Sequence, residues 1–311
     1  MRHVVLGPTG LVVPEISVGA ATWWDDAGVP VETSDALARR VLSGARADDP
    51  RYLDTSNNYG AGESERRIGR VLRSLGGVPD GATIQTKADR DMATGDFSGT
   101  RVRRSLEESM ERLGVDRLPL VFLHDPENVA WNAAWSADGA VAALVAARDE
   151  GIVGHLGISG GPVGMLADYV RTGVFDVLIT HNRWTLVDRG ADALLTLARD
   201  RGLGVLNAAP YGGGMLTRWP LDRVRYAYGD APRALLDAAD AMGRIAHEAG
   251  VPFAAVALQH STRDPRIDST IVGMRGVDDL DATLALLDVD VPDDLWAAIG
   301  AVPLDPSTFQ R

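Results

Sequence analysis

The stretch that organises this chain covers residues 52–65 and reads YLDTSNNYGAGESE. Its apolar start is typical of the end of a buried strand, which stops at the carboxylate of Asp54. A polar loop follows and carries the phenol of Tyr59, and Gly60 and Gly62 allow this loop to turn into a helix. An acid at a strand end and a phenol five residues later are compatible with a proton-transfer site, or with an ordinary strand–loop–helix corner.

The chain contains a single lysine. Lysine and arginine together number 31; Lys87 is the one lysine and the other 30 are arginine. Arginine cannot replace a compact, deprotonatable ammonium in a tight site, so we interpret Lys87 as functional rather than as a chance survivor. Lys87 ends the alternating run 83–87, which is typical of a strand, and it therefore resembles Asp54 in its position.

Length and composition restrict the class of protein. The 311 residues suit one large α/β domain or two ordinary ones, and 45% apolar residues suffice for a full core. A net charge of −12 disfavours nucleic acid and membranes as partners. There is no cysteine, which excludes thiol chemistry, and no run of about 18 apolar residues that would predict a membrane span. We expect a cytoplasmic protein that binds a small molecule and no metal.

Strand and helix patterns alternate along the whole chain. The runs 3–6 and 12–16 flank a Gly-Pro-Thr-Gly turn and predict a hairpin. Short apolar runs that predict eight strands lie near residues 16, 52, 83, 118, 155, 177, 204 and 269. Helical patterns follow at residues 33–46, 65–75, 100–113, 140–148, 163–171, 191–201, 234–249 and 277–287, with an extra one at 295–301.

Eight βα units in one uninterrupted chain predict an α/β fold, a closed (β/α)8 TIM barrel. We expect one domain over residues 1–311, with the N-terminal hairpin below the barrel and an extra C-terminal helix. A doubly wound open sheet is the alternative, but residues 19–23 lack the glycine-rich fingerprint that normally follows its first strand. Loop seven, residues 210–232, is predicted to be the main insertion.

A barrel of this kind presents the C-terminal ends of its strands at one mouth. Asp54, Lys87 and His124 end the second, third and fourth strands, and neighbouring strands lie about 5 Å apart, so these side chains can meet. An adjacent ammonium lowers the pKa of a phenol from its usual value of about 10, and Asp54 would hold that ammonium in place beside Tyr59. His124 would hydrogen-bond the substrate oxygen. Such a group suits proton transfer to an oxygen while hydride leaves or joins the attached carbon.

These motifs resemble the aldo-keto reductase superfamily, and the resemblance covers nearly the whole chain. Its segments are residues 54–65, Lys87, His124–Asp125, 104–109, 113–117, 156–159, 209–216 and 271–273. The resemblance implies that Tyr59 is the general acid/base, that Lys87 and Asp54 tune it, and that His124 orients the carbonyl or carbinol. It also implies a nicotinamide cofactor bound without a Rossmann fold. Segments 102–117, 121–127 and 149–159 are most similar to bacterial aldose dehydrogenases of the D-threo-aldose and L-fucose type.

The resemblance also implies a set of cofactor contacts. Ser159 matches a residue that holds the nicotinamide amide, and because the family's usual Asn after it is Gly160 here, Asn182 is expected to supply the missing contact. A family aromatic that stacks on nicotinamide is replaced near Ala208. Glycines 212–214 allow backbone N–H groups to approach a pyrophosphate. The expected contacts are Ala21, Asp54, Ser159, Asn182, Pro210, Tyr211, Gly212, Gly214, Leu216, Gly273, Arg275 and Asp279.

Residues after the eighth strand bear on the choice between NAD and NADP. NADP-preferring relatives place basic residues there to meet the 2′-phosphate. Asp279 lies near a position that is often basic, and its carboxylate would repel a phosphate and could accept from a ribose hydroxyl. Arg275 argues the other way. We favour NAD.

Four tryptophans are candidates for the wall of the substrate pocket: Trp23 and Trp24 in loop one, and Trp131 and Trp135 in loop four. The alternative is that at least two of them are structural. We expect an aldehyde, ketone or sugar as substrate, with oxidation of an aldose to its lactone as one specific reaction. Two other functions compete: a cofactor-sensing regulatory subunit like the potassium-channel β-subunit branch of the superfamily, and a lyase or aldolase that uses Lys87 as a Schiff base.

Overall fold

A computed structural model of the protein describes residues 1–310. It begins with an antiparallel hairpin of β1 (His3–Val5) and β2 (Val12–Pro14). The hairpin turn lies against the start of a barrel strand, because a Cβ on Gly7 would be 2.1 Å from the backbone N of Gly204. Leu6 contributes to the core inside the barrel. The predicted hairpin therefore covers the N-terminal end of the barrel.

Eight parallel strands form the closed barrel that the sequence predicted. Seven of them follow the hairpin: β3 (Ile16–Gly19), β4 (Tyr52–Asp54), β5 (Thr83–Ala88), β6 (Leu118–His124), β7 (Val153–Gly160), β8 (Val177–His181) and β9 (Gly204–Ala208). A small hairpin in loop seven consists of β10 (Arg225–Tyr226) and β11 (Gly229–Asp230). The last barrel strand, β12 (Ser269–Gly273), lies between β9 and β3 and closes the barrel.

Eleven α-helices occur within residues 1–310: α1 (Val31–Ser43), α2 (Glu63–Leu75), α3 (Gly99–Leu113), α4 (Trp131–Ala134), α5 (Ala140–Asp149), α6 (Val163–Arg171), α7 (Asp192–Asp200), α8 (Arg233–Glu248), α9 (Phe253–Thr262), α10 (Val277–Leu287) and α11 (Asp293–Gly300). The sequence prediction missed two of them. Helix α4 is a single turn, and most residues of α9 are buried, so α9 shows no amphipathic stripe. None of the helices within residues 1–310 is long and apolar enough to cross a membrane.

Helices α2 and α3 show how local sequence sets up the loops of the barrel. Helix α3 begins at Ser98, whose hydroxyl accepts from the backbone N of Arg101, and ends at Gly114 with φ +73°. A Cβ on Gly69 of α2 would lie 1.9 Å from the carbonyl oxygen of Arg112, so only glycine permits this close packing. The packing holds the loop between β4 and α2 against α3.

Strand periodicity decides which side chains point into the barrel. Tyr52, Phe122 and Ile179 belong to the core inside the barrel. Side chains two positions further along the same strands point the same way, so Asp54 and His124 face inward at the C-terminal ends. The register pairs His124 with Ser159 on one side. The last inward-facing residues of the eight strands, which we call the mouth, are Gly19, Asp54, Lys87, His124, Ser159, His181, Ala208 and Gly273.

Candidate active site

The structure brings Asp54, Tyr59 and Lys87 together at the mouth. Lys87 Nζ donates to Asp54 Oδ1 at 2.7 Å, to the carbonyl of Thr55 at 2.8 Å and to Tyr59 Oη at 3.1 Å. Lys87 is 2% exposed and Asp54 4%. Three acceptors around a buried ammonium leave it little freedom, so the phenol and the amine are held at hydrogen-bond distance.

The loop after β4 places Tyr59 over this lysine. Backbone N–H groups of Thr55 and Asn57 donate to the carbonyls of Gln85 and Lys87, which extends the β4–β5 pairing beyond the strand end. The loop then turns back, with Gly60 at φ +58°. A Cβ on Gly60 would lie 2.7 Å from Cβ of Trp24, so both the backbone angle and the space require glycine there.

The charges of this group differ in part from the expectation. Withdrawal from solvent raises the pKa of Tyr59 well above its ordinary value, and this effect outweighs the opposite effect of Lys87. Lys87 lowers the pKa of the phenol, as predicted, but the sequence prediction did not include burial, which leaves the net pKa raised. Burial lowers the pKa of Lys87, but Asp54 and Tyr59 outweigh it and leave the pKa raised. At neutral pH Tyr59 is therefore a phenol, and Lys87 is an ammonium paired with Asp54.

His124 at the end of β6 stands beside this group, as predicted. Its ring centroid lies 5.8 Å from that of Tyr59, edge to face. Its Nδ1 is 2.6 Å from Oδ1 of Asp89, and its Nε2 is 3.7 Å from Oδ1 of Asp125. Burial lowers the pKa of His124, but the two carboxylates outweigh it and raise the pKa above the ordinary value. The sequence prediction missed Asp89, although its position two residues after Lys87 was a usable signal.

A second histidine at the mouth was also missed. His181 ends β8 and pairs in register with Ala208 on β9. Burial, and then the charge of Arg183, lower the pKa of His181 to about 4. Its ring lies 5.8 Å from the exposed ring of Tyr228, at the tip of the β10–β11 hairpin. The strand-end rule that selected His124 would have selected His181 as well.

Ser159 and Asn182, the expected partners of a nicotinamide amide, are both buried near the mouth. Asn182 follows β8 in the left-handed conformation, with φ +57°. Its Oδ1 is buried and has no hydrogen-bond partner among residues 1–310. Buried polar atoms are nearly always paired, so an amide donor from a bound molecule fits this position. A Cβ at Gly160 would lie 2.9 Å from Oε2 of Glu127, so a larger residue there would require the Glu127 side chain to shift.

Loop seven carries the glycine run. The three glycines 212, 213 and 214 have φ values of +56°, +74° and +93°. A Cβ on Gly212 would lie 2.1 Å from the ring of Tyr226, so this residue must be glycine. Arg223 donates to the carbonyl of Gly213 at 3.3 Å and brings a positive charge to the run. The N–H groups of Gly212 and Gly214 already donate to the carbonyls of Ala209 and Tyr211 at 3.1 Å, so the N–H of Gly213 and the Arg223 guanidinium are the groups of this run that could meet an anion such as a pyrophosphate. Pro210, Tyr211 and Leu216 lie in the same turn, where the N–H of Leu216 donates to the carbonyl of Tyr211.

The expected adenosine end is a groove of about 400 Å³ between loop one and the start of α10. Arg275 and Asp279 both line it, and they pair with each other: Nε of Arg275 lies 3.0 Å from Oδ2 of Asp279. The backbone N of Arg275 donates to the same oxygen at 2.9 Å. Gly273 ends β12 below this groove, and Ala21 follows β3 in loop one. Asp279, which favours NAD, and Arg275, which favours NADP, thus form one ion pair.

The four tryptophans occupy different surroundings. Trp24 packs on Gly60, next to Tyr59. Trp23 has no exposed surface, and its Nε1 donates to the carbonyl of Met274 at 2.7 Å. This hydrogen bond connects loop one with the end of β12. The position of Trp23 therefore favours a structural role.

Trp131 and Trp135 lie farther out. Their ring centroids are 4.7 and 6.0 Å from that of Tyr169 on α6. Both side chains therefore pack on a helix outside the barrel, and a substrate contact by either stays a prediction.

Comparison with known proteins assigns these residues to a family. The sequence profile of the aldo/keto reductase family matches residues 15–302. The chain is 29% identical to D-threo-aldose 1-dehydrogenase of Pseudomonas sp. over 96% of both chains. It is 30% identical to L-galactose dehydrogenase of Arabidopsis thaliana, over 90% of this chain and 86% of the other. The fold superposes with a TM-score of 0.77 on a holo-form aldo-keto reductase from Bacillus halodurans, at 20% identity and covering 100% and 99% of the two chains. The chain therefore belongs to the aldo/keto reductase family and is an NAD(P)-dependent oxidoreductase.

Proposed function

We propose that the protein oxidises an aldose at its anomeric carbon to the lactone, with NAD as the preferred cofactor. Tyr59 would be the general acid/base, supported by Lys87 and Asp54, and His124 would bind the reacting oxygen. The observation that carries the proposal is the 3.1 Å separation of Lys87 Nζ and Tyr59 Oη at the mouth of the barrel. We also propose that residues 1–311 form one domain that acts in the cytoplasm.

The chemistry follows from the protonation states. In the direction of oxidation, the substrate hydroxyl gives its proton to Oη of Tyr59, and in reduction Tyr59 returns it. A bound nicotinamide supplies the hydride acceptor or donor. In oxidation Tyr59 must first lose its own proton to solvent, because only the phenolate can accept the proton of the substrate. Burial opposes this ionisation, and the ammonium of Lys87, 3.1 Å away, stabilises the phenolate. Asp54 balances the ammonium and prevents it from moving toward the substrate.

A sugar as substrate is supported by the groups around the mouth. His124, Asp125 and His181 offer donors and acceptors on the side where a substrate would enter, and Glu127 lies beside Gly161, whose N–H it accepts at 3.1 Å. Several convergent polar groups suit a molecule with many hydroxyls better than an aliphatic aldehyde. Relatives with high coverage are named as aldose and galactose dehydrogenases, which favours the same substrate class.

The preference for NAD rests on the ion pair in the adenosine groove. The Arg275 guanidinium is already paired with Asp279. Burial raises the pKa of Asp279, but its hydrogen bonds and ion pair with Arg275 outweigh burial and leave the pKa below its ordinary value. A 2′-phosphate in the groove would therefore meet a carboxylate as well as a guanidinium whose charge is largely balanced. A ribose hydroxyl could donate to Asp279 without this repulsion.

The decisive experiment is a panel of aldoses, ketones and aldehydes followed at the nicotinamide absorbance with NAD, NADP and their reduced forms. We expect NAD-dependent oxidation of at least one aldose and a lactone as the product, identified by mass spectrometry. A tenfold preference for NADP would reject the cofactor proposal alone. Cofactor binding without turnover of any substrate would favour the regulatory alternative, and borohydride trapping of substrate on Lys87 would favour the Schiff-base alternative.

A further inference from the structure

A buried carboxylate outside the predicted site lies behind His124. Asp89 follows β5 directly and is 3% exposed. Its Oδ1 lies 2.6 Å from Nδ1 of His124. Its Oδ2 accepts from the backbone N of Asn58 at 3.1 Å and from the hydroxyl of Ser56. One carboxylate thus connects the histidine with the loop that carries Tyr59.

Helix α3 holds this carboxylate in place. The backbone N of Asp89 donates to Oγ of Ser105 at 3.1 Å, and its carbonyl accepts from Nε of Arg101 at 3.2 Å. Both partners lie on α3, whose N-terminus is capped by Ser98. Because main chain and side chain are both bonded, Asp89 is a rigid partner rather than a surface acid that could turn away.

A carboxylate can only accept a hydrogen bond, so Nδ1 of His124 must carry the proton between them. The other ring nitrogen, Nε2, is then the atom available to the mouth. We infer that Asp89 is a positioning residue that fixes the ring orientation of His124 and favours its protonated form, so that Nε2 faces the substrate oxygen. The part of this inference that concerns the substrate rests on the proposed function.

Groups of both charges surround His124 on several elements. They are Asp89 after β5, Asp125 and Glu127 after β6, Lys87 on β5, Tyr59 in the loop after β4 and His181 on β8. Burial and Lys87 disfavour the imidazolium, and Asp89 is the strongest of the groups that favour it. Burial raises the pKa of Asp89, but His124 and the hydrogen bonds from Ser56 and Asn58 outweigh it and leave the pKa lowered. The net pKa shift of His124 therefore depends on Asp89, and removal of Asp89 should change this shift from a raised to a lowered pKa.

The test is a long-range ¹⁵N–¹H NMR titration of the imidazole nitrogens in the full-length protein, with the His124 signals identified by their loss in His124→Gln. In the wild type we expect the pKa of His124 to lie above its ordinary value of about 6.5. In Asp89→Asn we expect the pKa of His124 to fall below that value, since burial and Lys87 remain. Asp268→Asn is the matched control: Asp268 is 5% exposed and accepts from Arg199 at 2.9 Å at the opposite end of the barrel, and its loss should leave His124 unchanged.

Kinetics supply a second readout. We expect Asp89→Asn to lower kcat/KM about 10- to 100-fold while the Kd of the nicotinamide cofactor stays within about twofold. An unchanged titration of His124 in Asp89→Asn would overturn the inference, as would an equal loss of cofactor affinity, which would point to collapse of the loop. Should Asp89→Asn not fold, Asp89→Glu keeps the charge and should retain the raised pKa of His124; an ordinary or lowered pKa in Asp89→Glu would count against Asp89. Absence of turnover in the wild type would reject the proposed function, whereas the NMR titration would still decide the role of Asp89.

Discussion

On the side of the mouth formed by β4, β5 and β6, the polar groups already bond to one another. Lys87 Nζ has acceptors at 2.7, 2.8 and 3.1 Å, and His124 has a carboxylate at 2.6 Å. On the side formed by β8 and β9, His181 meets an exposed tyrosine ring, Ala208 offers only a methyl group, and Oδ1 of Asn182 has no partner among residues 1–310.

The difference between the two sides indicates that one side carries out the reaction and the other binds a ligand. Reacting groups are effective when neighbouring bonds hold them in position before the substrate arrives. Unpaired polar atoms and open space are useful where a bound molecule must supply the missing partners. We therefore expect changes on the first side to affect the reaction and the stability strongly, and changes on the second side to affect binding and pH dependence.

The largest effect is expected from Tyr59→Phe, which removes one oxygen from the bonded side. Without the phenol there is no group at 3.1 Å from Lys87 Nζ to exchange a proton with the substrate. We expect kcat to fall by about 100- to 10,000-fold. Cofactor affinity, measured by fluorescence titration, should stay unchanged. Turnover at the wild-type rate would remove Tyr59 from the acid/base role.

The second effect concerns the buried ion pair. Lys87→Met leaves the carboxylate of Asp54 buried without its cation, and we expect the free energy of unfolding to fall by about 3–5 kcal/mol. Asp54→Asn should destabilise comparably, because it leaves the ammonium unpaired. The double variant should be more stable than the sum of the two single losses predicts. Urea denaturation of all four proteins measures this cycle, and strict additivity would show that the pair is not coupled.

The third effect is a pH dependence on the open side. The pKa of His181 is about 4 in the folded protein and near its ordinary value of 6.5 in the unfolded chain. As pH falls from 6.5 to 4, the unfolded chain takes up a proton that the folded protein does not, so stability present above pH 6.5 is lost across this interval, up to about 3 kcal/mol.

His181→Gln should remove this loss, whereas His3→Gln on the exposed first strand should keep it. Urea midpoints of the wild type and both variants between pH 4 and pH 7 provide the comparison. Parallel curves for the wild type and His181→Gln would show that His181 titrates normally.

The smallest effect is expected from Asn182→Gly. Glycine accepts the φ of +57° without strain, and the variant removes a buried amide whose Oδ1 is unpaired, so stability should change little. Cofactor affinity should fall about 3- to 10-fold, which corresponds to one hydrogen bond of roughly 0.5–1.5 kcal/mol. Isothermal titration with NAD measures it. An affinity equal to that of the wild type would mean that Asn182 does not contact the cofactor.

Much of the barrel was predictable because its strands and most of its helices carry their own periodicity. The predicted run 118–124 is β6, and the predicted helix 277–287 is α10. Helix α9 was missed because burial on almost all sides removes the polar face by which a helix is recognised.

For the active site too, some features could be predicted from the sequence and others needed the structure. Asp54, Lys87 and His124 could be selected because each lies at or next to the end of a strand, and the barrel brings strand ends together. The effect of Lys87 on the pKa of Tyr59 was predicted correctly, but the net shift could not be predicted, since the extent of burial cannot be read from neighbours in sequence. The pairing of Arg275 with Asp279 needed the turn that joins β12 to α10.

By itself, the order of residues determined the eight strands of the barrel, the end at which the reactive side chains collect and the family to which the chain belongs, since these depend on periodicity and on local motifs. Only the tertiary structure decided in which direction the pKa values of the side chains at the mouth are shifted. Asp89 and His124 are 35 positions apart in sequence and 2.6 Å apart in space, and two histidines at the same mouth have pKa values shifted in opposite directions. The reason is physical: a pKa depends on burial and on charges within a few ångströms, and both are properties of the folded barrel.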